Sequence, residues 1–278
     1  MRLAKLHATG NDFLVTEAPG LGASDAARLC DRHRGIGADG LLILGTGTGE
    51  ADCTMRLFNA DGHPAEMSGN GIRCLAAVAV ARGLARGDEL VVDTAAGLRH
   101  VDLDRDPTTG NLRRATVDMG SVTFDPPAIP FTGSDALDLE VTFHGVTYQG
   151  DAAGVGNPHL VLLVDDVDRA RVTQHGPHLE HDERFPNRTN VEFIAPAGPD
   201  EVRMRVWERG VGETLSCGTG ACAAAAVAHR RGLVGSLVTV RVPGGELNVE
   251  LGPTVRLGGP VTYVFDVDLD PEVKGEGS

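Results

Sequence analysis

The chain has 278 residues, of which 41% are hydrophobic and 23% are charged, and its formal net charge at pH 7 is −14. This length is sufficient for two hydrophobic cores of ordinary domain size. Nucleic acids and anionic membrane surfaces both require a basic protein surface, so the acidic balance excludes them as partners. No apolar run resembles a signal peptide or a membrane span, which predicts a cytoplasmic protein.

Alternating apolar residues predict strands in the first half of the chain, and apolar residues at helical spacing predict two helices. The predicted strands span residues 2–7, 12–17, 41–45, 53–59, 89–94, 98–103 and 112–118. The predicted helices span residues 24–33 and 70–83. Proline and glycine are concentrated in residues 124–135, which are therefore the predicted linker.

The second half follows a similar pattern. Its predicted strands span residues 139–150, 159–164, 190–194, 202–208, 237–242 and 246–251, and its predicted helices span residues 167–180 and 219–231. A final alternation over residues 261–268 predicts a strand that returns to the first domain, and the tail after Pro271 is expected to fray. The predicted domains are residues 1–118 with about 262–278, and residues 119–261.

The two halves repeat one another at an offset of 149 residues. The segment Met55–Asn59 returns as Met204–Glu208, and residues 68–84 align with residues 217–233 with 9 of 17 positions identical. Such a repeat indicates duplication of one ancestral half. It predicts two pseudo-symmetric domains and a functional site with two similar faces.

Glycines follow Ser68 and Cys217, where the two repeated helices are predicted to begin. Backbone N–H groups at a helix start favour a bound carboxylate, although an ordinary glycine-rich turn would have the same composition. The same environment is expected to favour a thiolate at Cys217. Glu208 could accept the proton of that thiol, or form a solvated pair with Arg209, and His159 is a second candidate base.

Three other patterns are given structural interpretations. Residues 35–40 match the letters of a dinucleotide-binding fingerprint, but a predicted helix precedes them and a predicted strand follows, which is the reverse of the required order. The spacing of His175, His178 and His181 is not specific for a metal, so no metal site is predicted. Five cysteines without paired spacing indicate neither a disulfide framework nor a zinc site, and Cys30, Cys53 and Cys222 are expected to be buried.

Short strings distributed over the chain carry a family resemblance. They are His7–Phe13, Asp31–Gly40, Phe58–Gly62, Ser68–Cys74, Gly156–His159, Phe185–Asn190, Glu208–Thr214 and Cys217–Cys222. In these strings the sequence resembles the pyridoxal-phosphate-independent diaminopimelate epimerases over nearly its whole length. Chance does not explain a resemblance in so many motifs that occur in the same order.

The resemblance implies an α/β (α+β) fold of two pseudo-symmetric domains, each a curved and mostly antiparallel sheet around a central helix, with the active site in the cleft between them. It also implies a homodimer without a cofactor, and a small amino-acid substrate. The reaction would convert LL-2,6-diaminopimelate to the meso form by two-base proton transfer at the α-carbon. The substrate contacts implied by the resemblance are Asn11, Asn59, Gly69, Asn70, Asn157, Asn190, Glu208, Arg209, Gly218 and Thr219, with Gly40, a glutamine in some members, as a weaker candidate.

The family uses one cysteine from each domain as a base. Cys217 matches the second cysteine, but Ser68 stands at the position of the first. A hydroxyl is far less acidic than a thiol, so Ser68 is expected to impair a symmetric two-base mechanism. The serine is consistent with a deliberate substitution, with a natural member that works with serine, or with different chemistry. The alternatives are another amino-acid racemase or epimerase, a dehydratase of hydroxyproline type, and a binding protein without catalysis.

Overall fold

The structure, a computed structural model, describes residues 1–85 and 87–269. Contacts along the chain divide it into two compact units, each with its own core. Unit 1 comprises Met1–Val117 and the segment that begins at Gly259, and unit 2 comprises Asp118–Gly258. The tail after Pro271, which the sequence predicts to fray, lies outside the described residues.

Strands dominate both units. In chain order they are β1 (Arg2–Ala8), β2 (Asn11–Thr16), β3 (Gly40–Thr46), β4 (Cys53–Asn59), β5 (Pro64–Ala65), β6 (Glu89–Thr94), β7 (Gly97–Arg105), β8 (Leu112–Asp118), β9 (Leu139–Phe143), β10 (Val146–Gly154), β11 (Pro158–Leu163), β12 (Asn190–Gly198), β13 (Glu201–Glu208), β14 (Gly212–Thr214), β15 (Leu237–Val242), β16 (Gly245–Glu250), β17 (Arg256–Pro260) and β18 (Thr262–Asp268). The α-helices are α1 (Ala23–Cys30), α2 (Gly69–Ala81), α3 (Val172–Leu179) and α4 (Gly218–Arg230).

The strands of the two units pair in the same order. In unit 1, β2 is parallel to β3, β3 is antiparallel to β4, β4 is parallel to β6, and β6 is antiparallel to β7. In unit 2, the strands β11, β12, β13, β15 and β16 repeat this sequence of parallel and antiparallel pairs. The prediction of two pseudo-symmetric, mostly antiparallel halves is therefore confirmed.

Each sheet packs around one repeated helix. Helix α2 and helix α4 are buried on nearly every side, and α4 presents alanine at most of its buried positions. A helix that is enclosed on all sides must be apolar all round, which explains why neither sequence shows a clear polar face. Small alanine side chains let the surrounding strands approach the α4 backbone closely.

Local backbone chemistry explains where the predicted elements were wrong. The predicted strand 139–150 is a hairpin of β9 and β10, because His144 and Gly145 both adopt positive φ (46° and 75°). The predicted helix 167–180 is interrupted by Ala170, whose ψ of 137° is extended, so a 3₁₀ turn at Val167–Arg169 precedes α3.

Other differences concern short elements and the predicted linker. Strands β5, β14 and β17 were not predicted because two to five residues are too few to show a period. Residues 124–135 are not an open linker, since Ile129 and Phe131 lie in the hydrophobic core of unit 2. Among the described residues, no helix is both long enough and apolar enough to cross a bilayer.

Candidate active site

Helices α2 and α4 begin with the same local geometry. Ser68 precedes α2 in an extended conformation (φ −143°, ψ 118°), and its Oγ accepts a hydrogen bond from the Gly71 N–H at 3.0 Å. Cys217 precedes α4 in a similar conformation (φ −123°, ψ 117°), and its Sγ accepts from the Gly220 N–H at 3.4 Å. The two residues are therefore structurally equivalent N-caps, and each stands beside the positive end of a buried helix.

The backbone at both helix starts can receive an anion. The first helical hydrogen bonds are donated by Ile72 to the Ser68 carbonyl and by Ala221 to the Cys217 carbonyl, both at 2.9 Å. The N–H groups that precede these donors have no carbonyl acceptor within the helix. Those of Gly71 and Gly220 donate to the N-cap side chains, and the others include the predicted substrate contacts Gly69, Asn70, Gly218 and Thr219.

Cys217 lies in a polar pocket within unit 2. Its side chain is buried and interacts electrostatically with Glu208, the last residue of β13. Glu208 also accepts a hydrogen bond from Thr214 Oγ1 at 2.5 Å, and Thr219 Oγ1 lies 3.6 Å from Cys217 Sγ. The structure thus brings together the predicted base, a carboxylate able to take its proton, and a hydroxyl able to donate to its sulfur.

Burial controls the ionisation of this pair. It raises the pKa of Cys217 well above the usual thiol value, and the Glu208 and Glu192 carboxylates raise it further. Contacts with Thr219 and Gly220 lower that pKa by less. Burial also raises the pKa of Glu208. These effects oppose the thiolate that the helix start is expected to favour at Cys217, and they place a carboxylate beside the thiol.

His159 is connected to this pocket through Asn157. The buried His159 ring contacts Glu192 Oε1 through Nδ1 at 2.7 Å and Asn157 Oδ1 through Nε2 at 2.9 Å. Asn157 in turn donates from Nδ2 to Thr219 Oγ1 at 3.4 Å. Hydrogen bonds thus join three residues that the sequence had proposed separately.

Glu192 is a functional candidate that the sequence analysis missed. It is completely buried on β12, and its Oε1 is close enough to α4 that a Cβ at Gly220 would lie 2.6 Å away. A glutamate between the apolar residues Val191 and Phe193 was the available signal. A charged residue is almost never fully buried without a partner, so this position indicates a paired carboxylate.

Asn190 and Arg209 meet at the end of β13. The Asn190 side chain is buried, accepts from the Arg209 backbone N–H at 2.9 Å, and donates to the Pro158 carbonyl at 3.0 Å. Arg209 also donates from Nη1 to the Asn187 carbonyl at 3.2 Å. Asn190 therefore positions the backbone on either side of the pocket, in addition to any contact with a ligand.

The corresponding pocket of unit 1 is built from amides. Asn70 donates from Nδ2 to Asn11 Oδ1 at 3.1 Å, and Asn11 donates from its own Nδ2 to Asp39 at 2.7 Å. Asn59 ends β4 as Glu208 ends β13, and it is exposed. Within the described part of unit 1, the Ser68 hydroxyl has no hydrogen bond to a carboxylate or an imidazole.

Two carboxylates support the Asn11 side of this pocket. Asp12 is bound by Arg32 and Lys5, whose hydrogen bonds outweigh the effect of burial and lower its pKa. Burial raises the pKa of the neighbouring Asp39, and the charge of Asp12 raises it further. Gly40 follows in tight contact, since an added Cβ would lie 2.8 Å from the Phe58 carbonyl oxygen. A longer side chain at Gly40 would require the backbone to move.

The other cysteines and His175, which the sequence analysis also considered, lie among packing residues of their units. Burial raises the pKa of Cys30 to about 11 and that of Cys53 and Cys74 to about 12. His175 Nδ1 lies 2.8 Å from the Tyr148 hydroxyl. In the described ranges, no three His, Cys, Asp or Glu side chains are grouped to hold a metal ion.

The sequence matches known proteins over almost its entire length. The family model for diaminopimelate epimerase matches residues 3–124 and 152–262. A diaminopimelate epimerase from Moorella thermoacetica is 44% identical, with 97% of this chain and 99% of the relative covered. One from Pelotomaculum thermopropionicum is 41% identical, with 95% and 97% covered.

Solved structures share the fold at lower identity. A hydroxyproline epimerase from Agrobacterium vitis superposes with a TM-score of 0.70 at 18% identity, covering 98% of this chain and 92% of that one. A predicted epimerase from Pseudomonas aeruginosa gives a TM-score of 0.71 at 20% identity, covering 96% and 98%. These likenesses concern the fold, whereas the family assignment follows from the sequence matches. The chain belongs to the diaminopimelate epimerase family.

Proposed function

We propose that the protein converts LL-2,6-diaminopimelate to meso-2,6-diaminopimelate by proton transfer at one α-carbon, without a cofactor. The observation that carries this proposal is the interaction of Cys217 with the buried Glu208 carboxylate at a helix start that has an equivalent at Ser68. The relatives that bear the name diaminopimelate epimerase match this chain over 95–97% of its length, which supports the same substrate.

Cys217 is the proposed base for one direction of the reaction. Glu208 accepts the thiol proton, and the resulting thiolate removes the α-proton as the C–H bond breaks. The electron pair moves into the substrate carboxylate, whose oxygens would accept hydrogen bonds from the N–H groups of Gly218 and Thr219. A proton must then reach the opposite side of the carbon for the configuration to invert. In the reverse direction Cys217 donates the proton instead.

Ser68 is the proposed second proton-transfer residue, and its chemistry is weaker. A hydroxyl without a hydrogen-bonded carboxylate or imidazole is a poor proton donor and a poorer base. Gly69 and Asn70 offer a second set of backbone donors for the substrate carboxylate. We therefore expect proton transfer through Cys217 to be fast and transfer through Ser68 to limit the overall rate.

Polar residues are proposed to select a substrate with a second amino-acid head group. Amide and guanidinium groups suit the ammonium and the carboxylate of that head group, and they are supplied by Asn59, Asn157, Asn190 and Arg209. Glu208 is proposed to contact the substrate as well as Cys217. Asn11 would contact the substrate from unit 1.

His159 is the remaining catalytic candidate. Its ring is buried and hydrogen-bonded at both nitrogens, so neither nitrogen is available for proton transfer. We propose that His159 acts through Asn157 on the substrate pocket and that Cys217 performs the proton transfer.

Ser68 supports one alternative reaction. An enzyme that needs a strong base on only one side of the carbon, such as a dehydratase that acts on another amino acid, tolerates a serine at the other side. The two candidates differ in substrate, so a panel of amino acids analysed by chiral chromatography distinguishes them. Inversion of diaminopimelate above all other amino acids supports the proposal, and a preference for a monoamino acid favours the alternative.

A homodimer in the cytoplasm is the proposed state of the protein. In support of a dimer, Tyr263, Val264 and Phe265 are exposed on consecutive positions of β18, which pairs with β1 along one edge. Exposed apolar side chains on a sheet strand favour association with a second copy. Sedimentation velocity of the parent and of Tyr263→Lys tests this: a monomeric parent contradicts the proposal.

Hydrogen exchange provides the test of the mechanism. In deuterated water, each stereoisomer of diaminopimelate should lose its α-hydrogen in the presence of the protein, and Cys217→Ala should abolish the exchange. Cys222→Ala, a change at a buried cysteine within α4, is the matched control. Equal exchange rates in Cys217→Ala and the parent would exclude Cys217 as the base.

A further inference from the structure

Glu192 has an unusual environment for an acidic residue. Both the Glu192 and His159 side chains are completely buried, and Glu192 Oε1 lies 2.7 Å from His159 Nδ1. Among the described residues, no group hydrogen-bonds to Glu192 Oε2. Burial of a carboxylate is costly unless its charge is matched, so the charge of Glu192 must be balanced through the His159 ring.

The second nitrogen of His159 indicates how that balance is reached. Nε2 faces Asn157 Oδ1 at 2.9 Å, and an amide oxygen can only accept a hydrogen bond. Nδ1 faces the carboxylate, which also accepts. A ring with an acceptor at both nitrogens is satisfied when both carry hydrogen, which makes His159 an imidazolium and Glu192 its counter-ion.

The remaining hydrogen bonds continue in one direction. Asn157 uses its oxygen for His159, so its Nδ2 is free to donate to Thr219 Oγ1 at 3.4 Å. Thr219 accepts there and can donate its own hydrogen to Cys217 Sγ at 3.6 Å. Each group accepts from the side of His159 and donates towards the sulfur, an arrangement in which successive hydrogen bonds strengthen one another.

We infer that Glu192 is a positioning residue that holds His159 doubly protonated and thereby orients a chain of hydrogen bonds ending at Cys217. This inference rests on the proposed role of Cys217. The negative charge of Glu192 by itself opposes the thiolate. The imidazolium cancels that charge, and the hydrogen bond from Thr219 at the end of the chain favours the thiolate.

Glu192→Gln separates these two effects. A neutral glutamine removes the reason for His159 to carry its second hydrogen. The bare Nε2 then accepts from the Asn157 amide, which turns over and presents its oxygen to Thr219. Thr219 donates to that oxygen instead of to the Cys217 sulfur. The thiol should therefore ionise at higher pH, by about one pH unit, which is a tenfold change in thiolate fraction.

Ionisation of Cys217 can be followed without turnover. The rate of alkylation at Cys217 is measured against pH by peptide mass spectrometry in the parent and in Glu192→Gln. The charged groups near the sulfur are Glu208 on β13, Glu192 on β12 and His159 on β11. Alkylation that shifts to lower pH in Glu192→Gln would mean that simple charge removal dominates, and it would overturn the inference. Glu180→Gln, a change at another buried glutamate of unit 2, is the control and should cause no shift.

Nuclear magnetic resonance tests the parent protein directly, in case Glu192→Gln does not fold. With ¹⁵N-labelled histidine, both ring nitrogens of His159, assigned with His159→Gln, should carry hydrogen at the pH of the activity assay. A neutral His159 ring in the parent would overturn the inference. Because this measurement needs neither substrate nor catalysis, its outcome is independent of the proposed reaction.

A double-mutant cycle tests whether the residues act as a chain. Thr219→Val removes the final donor, and Thr219→Ser retains it. Thr219→Val should shift Cys217 ionisation as Glu192→Gln does, Thr219→Ser should not, and the double variant should show little further shift. Additive shifts would show that Glu192 and Thr219 act independently, which would contradict the inference.

Discussion

Ser68 and Cys217 occupy the same backbone position in their units: each side chain accepts a hydrogen bond from the N–H three residues further on. The residues around them differ, because Cys217 interacts with the Glu208 carboxylate whereas the equivalent strand of unit 1 ends in Asn59. The two N-caps thus share a geometry and differ in their ability to transfer a proton. Substituting one residue type for the other therefore tests the mechanism.

Ser68→Cys should accelerate inversion of diaminopimelate by roughly tenfold or more, since a positioned acid or base contributes ~10²–10⁴ in rate. The rate of stereoisomer conversion measures this effect. Ser68→Ala, which keeps the helix but removes the proton donor, should be slower than the parent and lose about 1 kcal/mol of capping energy. If Ser68→Cys is no faster than the parent, serine is not the weak partner.

Glu208→Gln should make the Cys217 thiol more acidic and yet slow the α-hydrogen exchange of the substrate. Burial is the main cause of the high pKa of Cys217 and Glu208 is the next, so removing this charge should lower that pKa. The thiolate then forms at lower pH, which alkylation of Cys217 against pH reports. Substrate α-hydrogen exchange should nevertheless fall by about 10²-fold, because no carboxylate accepts the thiol proton.

The control for Glu208→Gln is Glu213→Gln, which removes a carboxylate paired with Arg205 on the adjacent strand. Neither the alkylation profile nor the exchange rate should change in that variant. An unchanged alkylation profile in Glu208→Gln would show that this carboxylate does not control the thiol.

Gly220→Ala and Gly71→Ala form a matched pair at equivalent positions of the two helices. A Cβ at Gly220 would lie 2.6 Å from Glu192 Oε1, whereas one at Gly71 would have Ser68 Cβ as its nearest neighbour at 3.1 Å. Overpacking of this kind costs about 1–3 kcal/mol, so Gly220→Ala should be clearly destabilised. Chemical unfolding compares the two. A larger loss in the free energy of unfolding for Gly71→Ala than for Gly220→Ala would contradict the packing described for Glu192.

His175 should make stability depend on pH. Burial lowers its pKa, with further contributions from Arg171, His144 and His178. The unfolded chain therefore binds a proton more readily than the folded protein, so the free energy of unfolding should decrease as the pH falls below about 6.5. Urea unfolding at several pH values should show a weaker decrease in His175→Gln. His63→Gln, a change at an exposed histidine, should match the parent.

Periodicity and repetition made most of the fold predictable. The alternation in β4 and β13 and the repeated helices α2 and α4 are long enough to be recognised, and their equivalence follows from the offset between the halves. The break at Ala170 and the turn at His144 depend on single backbone angles that many sequences can adopt. Strands as short as β5 depend on a neighbouring strand, which a local pattern does not reveal.

The site was predictable where a residue type carries its own chemistry. Cys217 and Glu208 are recognisable because a helix start and a strand end place them in the sequence. The ionisation of Cys217 could not be predicted from the sequence, because it depends on burial and on Glu192, which is distant in sequence. The hydrogen-bond chain through Asn157 likewise requires knowledge of three different elements at once.

The alanines of α4 have a consequence for how this site can evolve. A helix whose buried positions are mostly alanine has little lateral freedom, and those positions offer no long side chains that could be shortened to shift it. The direction in which the Cys217 sulfur points is therefore fixed by the packing of the unit 2 strands around α4. Adaptation to a new substrate should alter strand ends and loops while the helix interior stays constant.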